Sequence, residues 1–485
     1  MIALYISSLL NHFKVYNVSK MSAIYQTEFD RENGISSIVG TLGGPGVTQI
    51  FVHSVMSIKN ISETIESHPE FEKYDERSLV YSRPDDVVCV LEKVDNQYLK
   101  FLSSMGIGPI SENIVAVSNG VKPKSSINLT DILIDNPEKL LTIRRLIKPG
   151  KKIVLHPYIF SAKESKLAAI LENVFGKKVH LLGGNSDIVE YADQKHNIKQ
   201  KASELGIPVP EGNIVELQLQ ANGKPLDLTP IQIAINRYIH KTGRVVVKGS
   251  YGTSGSSIIT VENNTASIQK ALFKIAERKD NSIYIVEEMF DIVVSPNVLM
   301  HIEPDEGRIL CVGVTDQILS NDLGHEGNIY HASVKTLKDM MSSALKISKW
   351  LQTEGYSGIL GLDFVEHVNP ETGHLDYFLA EINPRINAAA YPKSLMEHLN
   401  RKQAQKGGPY IEAFLSKNIK TKAGSFAELN ELYEHLFFKP ETGKGLFPYN
   451  TGCLEHGKFT LAVFGKSRNE VLEMYEDFKA IIAKE

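Results

Sequence analysis

Up to about residue 190 the chain alternates short apolar runs with amphipathic stretches. SSIVGTL reads as a strand, followed by the glycine-rich turn GGPG (Gly43 to Gly46) and a helical VTQIFVHSVMSI. DVVCVLE, KKIVLHPY and KVHLLGG read as buried strands. SAKESKLAAILENVFG, whose apolar positions recur near every 3.6 residues, reads as the helix between the last two. Strands alternating with helices predict a mostly parallel sheet. The turn GTLGGPG matches neither GxGxxG nor the P-loop pattern, so a tight strand-to-helix turn is the plainer reading beside a phosphate loop.

From about residue 191 the pattern changes. ADQKHNIKQKASELGIPVPEG is a charged helix stopped by glycine and two prolines, and IQIAINRYIHKTG and SIQKALFKIAERKD are further helices. RVVVKGSYGTSGSSIITV reads as strand, glycine-serine loop, strand, and SIYIVEEMFD as a strand ending in acids. GILGLDFVEH and HLDYFLAEIN flank VNPETG, whose Asn-Pro and nearby Gly are turn signals, so the two runs predict an antiparallel hairpin. The remainder holds a helix SFAELNELYEHLFF, a PYNTG turn, a strand KFTLAVFG and a terminal helix RNEVLEMYEDFKAIIAKE.

Composition narrows the function classes. The 485 residues suffice for about two to four domains. A net charge of -4 without blocks of like charge argues against a nucleic-acid reader, and KPGKK (Lys148 to Lys152) reads as a solvated turn. Three scattered cysteines, Cys89, Cys311 and Cys453, predict free thiols in a reducing, cytoplasmic setting. No CxxC or HExxH spacing suggests zinc, and no run has the length of a membrane span. MIALYISSLLNHF lacks the basic start and cleavage site of a signal peptide, and Met21 offers a second start.

The hairpin carries the densest chemistry. Glu381 and Asn383 are two apart and share a face. A loop centred near Thr372 places Asp363 opposite Glu381, with Cβ atoms about 4.5–5.5 Å apart. The alternatives are a solvated sheet face or an oxygen-ligand site for a hard cation such as Mg²⁺, since no cation in the strands offsets the two acids. In RVVVK, Val245 and Val247 take one face and Arg244, Val246 and Lys248 the other, so Lys248 ends a buried strand where it needs a partner. The glycines after it suit either a flexible hairpin tip or a loop whose N–H groups approach phosphate. Glu287 and Glu288 follow the next strand.

Taken in order, these pieces resemble the ATP-grasp superfamily from about Asp193 to Asn387. DQK…GIPVP, with Lys195 eleven residues before Gly206, resembles its first nucleotide lysine, and RVVVKGSYGTSGSS its second lysine and phosphate lid. IVEEMF resembles the adenine hinge, and GLDFV followed by LAEINPR the magnesium site with its arginine.

The resemblance implies that Lys195 and Lys248 contact the phosphates of ATP. Backbone groups of Gly252, Thr253, Ser254, Gly255 and Ser256 would cover those phosphates. Glu287 and Glu288 would lie near the adenine, with the main chain of Phe290 pairing to it. Asp363, Glu381 and Asn383 would hold one or two Mg²⁺ ions, with Mn²⁺ as a substitute. Arg385, together with Lys248, would stabilise the transferring group. Lys199, on the same helix as Lys195, reads as solvated.

The implied fold is α/β: a mostly parallel pre-ATP-grasp domain over 1–190, then an ATP-grasp domain over 191–400 with a lid subdomain at about 213–290. An α+β segment over 401–485 would pack on the grasp. VLHPYIFSAKESKLAAIL and GLFPYNTGCLEHGKFTLAVFGKSRNEVLEMYEDF are similar to peptide ligases of the pheganomycin type. The implied activity is joining a carboxylate to an amine through an acyl phosphate, with small molecules as partners. A carrier-protein thiol as acceptor, bicarbonate as the carboxylate, or a nucleotide-binding regulator without turnover are the alternatives, and a homodimer stays open. Substrate choice would rest on loops of the N-terminal domain and around His325 to His331, with Arg83 or Lys335 as candidate carboxylate clamps.

Overall fold

A valine run without polar alternation needs cover on both faces of its sheet. Val87–Val90 is such a run, and all four residues are fully buried. In the computed structural model, which describes residues 26–58, 61, 65, 68–118, 128–251, 258–279, 281–305 and 307–484, it belongs to a five-stranded sheet. The order is Ile114–Ala116, Val87–Val90, Val47–Val52, Lys152–Pro157, Val179–Leu181, and every pairing is parallel. Helix Ala162–Phe175 is capped by Ser161 at its start and by Gly176, at φ 65°, at its end. Its Leu167 and Leu171 share an apolar core with Ile153, Leu155 and Val179.

Two expectations fail at the start of this sheet. Val39–Leu42, within SSIVGTL, form a 3-10 turn rather than a strand, and VTQIFV is the central strand Val47–Val52 rather than a helix. The run looked amphipathic because of Gln49. That residue is buried, with its side-chain amide donating to Leu42 O at 2.9 Å and its backbone N–H to Asp86 Oδ1 at 2.9 Å. The GGPG turn therefore joins a 3-10 turn to a strand. Its Gly43 carbonyl accepts from Arg83 Nη1 at 2.5 Å, so it presents an oxygen to a cation and is neither a phosphate loop nor a strand-to-helix turn. Arg83 is bound to Asp86 as well (2.8 Å).

The second sheet is antiparallel, in the order Gly212–Glu216, Ile283–Glu288, Arg244–Gly249, Ile258–Glu262. Helices Thr229–Thr242 and Thr265–Ala276 cover one face, where Val245, Val247, Tyr284 and Val286 meet Ile235, Ile239 and Ile275. The alternation of RVVVK thus turns Val246 and Lys248 to the uncovered face.

The third sheet has nine strands. Asn297, Asp363 and Glu381 lie on three adjacent strands, Pro296–Ile302, Gly358–Val368 and Leu375–Asn383. Ile309–Leu319 and His325–Tyr330 continue the sheet, and Ala413–Lys420, Lys458–Gly465 and Gly445–Tyr449 extend it with strands from the last part of the chain. Helix Ala390–Lys406 is buried along most of its length and joins the cores of the first and third sheets, with Tyr391, Leu395 and Met396 meeting Phe51, Tyr81 and Phe414. Within it Lys393 is fully buried, paired with Asp30 at 2.5 Å and Glu397 at 3.1 Å. No helix among the described residues is long and apolar enough to cross a membrane. The three cysteines are free and buried. The first twenty residues, Met21 and the loop 252–257 lie outside the described residues.

Candidate active site

The hairpin forms, and Asp363 pairs with Glu381. Its register is not uniform. From Val368 with Leu375 to Phe364 with Leu379 the pairing would bring Ala380 opposite Asp363; a bulge at Ala380 brings Glu381 there instead. Leu379 N–H, beside the bulge, donates to Pro208 O at 2.9 Å, tying this strand to the turn that ends the helix Lys195–Glu204.

Burial, and then the charge of Glu381, push the Asp363 carboxyl up to about 7. Three amides answer it. Asn297 Nδ2 and Gln317 Nε2 each donate to Asp363 Oδ1 at 2.5 Å, and Asn383 Nδ2 donates to Oδ2 at 3.0 Å. Asn387 in turn donates to Asn297 Oδ1 at 3.1 Å. Asn297, Gln317 and Asn387 were not expected. The signal for Asn297 was a lone amide in the mostly apolar PNVLMHI, which is buried at every position.

Glu381 has the cation that the strands themselves lack. Lys195 Nζ lies 3.0 Å from its Oε2. Burial opposes the charge of Glu381, but Lys195, Arg385 and Lys248 outweigh it and hold the carboxyl below the ordinary glutamate value. Two residues upstream, Asp193 pairs with Arg385 at 3.1 Å. The short segment Asp193-Gln194-Lys195 therefore grips the strand end at two points, Arg385 and Glu381. Arg385 is buried, its backbone N–H donates to Asn383 O at 2.7 Å, and its Nε has no hydrogen-bond partner.

On the facing sheet, Lys248 forms an ion pair with Glu287. Lys199 Nζ joins the same carboxylate at 2.9 Å and also donates to Pro210 O, so it is not solvated. Its helix carries Lys195 and Lys199 one turn apart, on the side that meets both sheets. Burial opposes the charge of Glu287, and the two lysines more than offset it, lowering its pKa. Glu288 is more accessible and meets Lys241 at 3.3 Å. Phe290 lies beside His367, with ring centres 4.3 Å apart, and Phe378, at 5.8 Å.

A cleft of about 1080 Å³ opens between these groups, lined by Lys248, Glu287, Phe290, Asp363, Glu381 and Arg385 among others. Lys195 stands behind Glu381. The arrangement is a set of cations and acids that neutralise one another and that an anionic ligand with its own cation would re-pair. Two facing carboxylates, one pushed toward its protonated form by burial and then by the other's charge, fit a divalent ion held by oxygen. Among the described residues no cluster of three or more His, Cys, Asp or Glu side chains exists that could cage a metal. Mg²⁺ is usually bound by one or two carboxylates and completed by substrate oxygens and water.

No protein-family model matches the chain, and no curated protein matches its sequence. Solved structures do match. An N5-carboxyaminoimidazole ribonucleotide synthetase in its ADP complex aligns over 90% of this chain and 97% of its own, with a TM-score of 0.51 and 14% identity. A biotin carboxylase–β,γ-ATP complex from Campylobacter jejuni covers 88% of this chain and 89% of its own, at 0.51 and 14%. The biotin carboxylase domain dimer of the Hydrogenobacter thermophilus 2-oxoglutarate carboxylase, with MgADP, ADP and bicarbonate, covers 89% of each chain, at 0.51 and 13%. At such identities the likeness is one of architecture, and the parallel N-terminal sheet followed by two antiparallel sheets is the ATP-grasp fold with its preceding domain.

Proposed function

We propose that this chain is an ATP-dependent ligase that activates a carboxylate as an acyl phosphate and joins it to an amine, an amino acid or peptide, releasing ADP and phosphate. The supporting observation is that Lys248 and Arg385 line one cleft, with Lys195 behind its Glu381, and that each of the three cations is now neutralised by a carboxylate that phosphate oxygens would replace. Lys195 and Lys248 hold the phosphates of ATP, and Glu287, Glu288 and the main chain of Phe290 receive the nucleoside. Asp363, Glu381 and Asn383 hold Mg²⁺, which when bound supplies charge neutralisation between phosphate oxygens.

In this reading a substrate carboxylate oxygen attacks the terminal phosphorus, and the bond to ADP breaks. The amine then attacks the acyl carbon, loses its proton, and phosphate leaves. Arg385 and Lys248 steady the negative charge that builds on the transferring group.

A second reading is supported by the bicarbonate in the Hydrogenobacter structure, in which bicarbonate itself is the carboxylate and carboxyphosphate forms. An ADP-release screen over carboxylates and amines, singly and in pairs, with and without added bicarbonate, separates the two. Release that needs one organic carboxylate plus one amine supports the ligase; release that needs bicarbonate supports the second. Lys248→Ala and Glu381→Ala should each abolish the release, and wild-type turnover in both would sink the site.

A further inference from the structure

Another cation lines the same cleft and has no part in the site above. Arg77 closes the 3-10 stretch Pro69–Arg77 and is 6% exposed. Its guanidinium carbon sits 3.5 Å from the ring centre of Tyr74 and 5.9 Å from that of Tyr391. Among the described residues it has no ion-pair or side-chain hydrogen-bond partner, and its buried Nε is unpartnered.

The acids beside it in the chain are turned elsewhere. Asp75 accepts from the N–H groups of Glu76 (3.0 Å) and Leu91, and Glu76 from Gly452 N–H at 2.7 Å. Glu70 pairs with Lys458. A buried guanidinium without an anion is unfavourable until an anion arrives.

Its place in the cleft says which anion. Tyr158 hydrogen-bonds Arg385 and also acts electrostatically on Arg77, so it is a neighbour common to both arginines. His325, depressed first by burial, also feels the charges of both Arg77 and Glu381. The aromatic rings against Arg77 are those of Tyr74 and Tyr391. Its planar fork matches a carboxylate through two parallel hydrogen bonds.

We propose that Arg77, walled by Tyr74 and Tyr391, anchors a substrate carboxylate that stays free in the product, distinct from the one activated at Arg385. This rests on the ligase reading. The carboxylate belongs either to an amino acid that supplies the amine or to a dicarboxylic acyl donor.

The test is equilibrium binding without ATP, read by thermal shift. The common amino acids, succinate and glutarate are titrated, each beside its amide, into wild type, Arg77→Met and Arg77→Lys, with ADP as a control. At least one acid should bind the wild type at millimolar concentration or tighter, with its amide at least about tenfold weaker. Arg77→Met should lose that acid-over-amide preference, Arg77→Lys should fall between, and both should bind ADP as wild type does. If Arg77→Met does not fold, the ratio in Arg77→Lys decides.

An amino-acid ligand assigns the anchor to the amine, and a dicarboxylate ligand to the acyl donor. Equal acid binding in the variants, or no acid that shifts a wild type responsive to ADP, overturns the proposal. Arg77-dependent binding with no ADP release from any pair would instead sink the ligase reading and leave this site standing.

Discussion

Asp363 and Glu381 face each other across adjacent antiparallel strands, and they do so through a single bulged residue, Ala380. Around them Asn297, Gln317 and Asn383 direct three amide groups at Asp363. If Asp363 is a metal ligand, these amides orient it. Asn297→Leu should then weaken Mg²⁺ affinity, read as the Mg²⁺ dependence of ADP binding by calorimetry, by about 10–100-fold. Unchanged Mg²⁺ dependence would remove Asp363 from the metal site.

That pair also measures what the sequence could and could not disclose. The strand-turn-strand pattern and the shared face of Glu381 and Asn383 were legible, because side-chain alternation and the Asn-Pro turn are local signals. The opposition of Asp363 and Glu381 was inferred from a loop centre at Thr372, whereas most of the hairpin is centred half a residue earlier and the bulge restores the pair. Lys199 was misread because its partner, Glu287, is remote in sequence. Val47–Val52 was misread because a buried Gln49 imitated the polar face of a helix. The errors share one cause: tertiary hydrogen bonds and ion pairs made polar residues interior.

Glu287 gives a prediction in pH. Its folded pKa lies below the ordinary glutamate value because Lys248 and Lys199 outweigh burial. A depressed carboxylate contributes stability that is fully present above its unfolded pKa and lost as pH falls through the folded one. Glu287→Gln should therefore destabilise the protein at neutral pH, by about 3–5 kcal/mol as for a broken buried pair. The gap from wild type should close on acidification below about pH 4.5. Urea melts of the two proteins across pH check this; a gap that widens toward acid would refute it.

Lys393, Asp30 and Glu397 form a buried triad linking the helix Ala390–Lys406 to the first described helix of the chain. Lys393→Met leaves two acids without their cation and should cost about 3–5 kcal/mol. Adding Asp30→Asn and Glu397→Gln to that variant removes the uncompensated charge and should recover most of the loss. Chemical denaturation of the single and triple variants compares them, and equal destabilisation would mean that packing, not charge, dominates this contact.

Gly361 sits two residues before Asp363 and pairs with Asn383 across the hairpin. A Cβ at this position would come within 2.1 Å of Asn387 Nδ2 and 2.9 Å of Asn297 Nδ2. Those two amides are hydrogen-bonded to each other, so neither can yield alone. Gly361→Ala should push Asn297 away from Asp363 and so act on the carboxylate pair without touching it. The expected stability loss is moderate, about 1–3 kcal/mol, as for overfilling a packed site. The Mg²⁺ dependence of ADP binding should fall as in Asn297→Leu, and the double variant Gly361→Ala with Asn297→Leu should be no worse than either single change. Additive losses would show that the glycine and the amide act on different parts of the site.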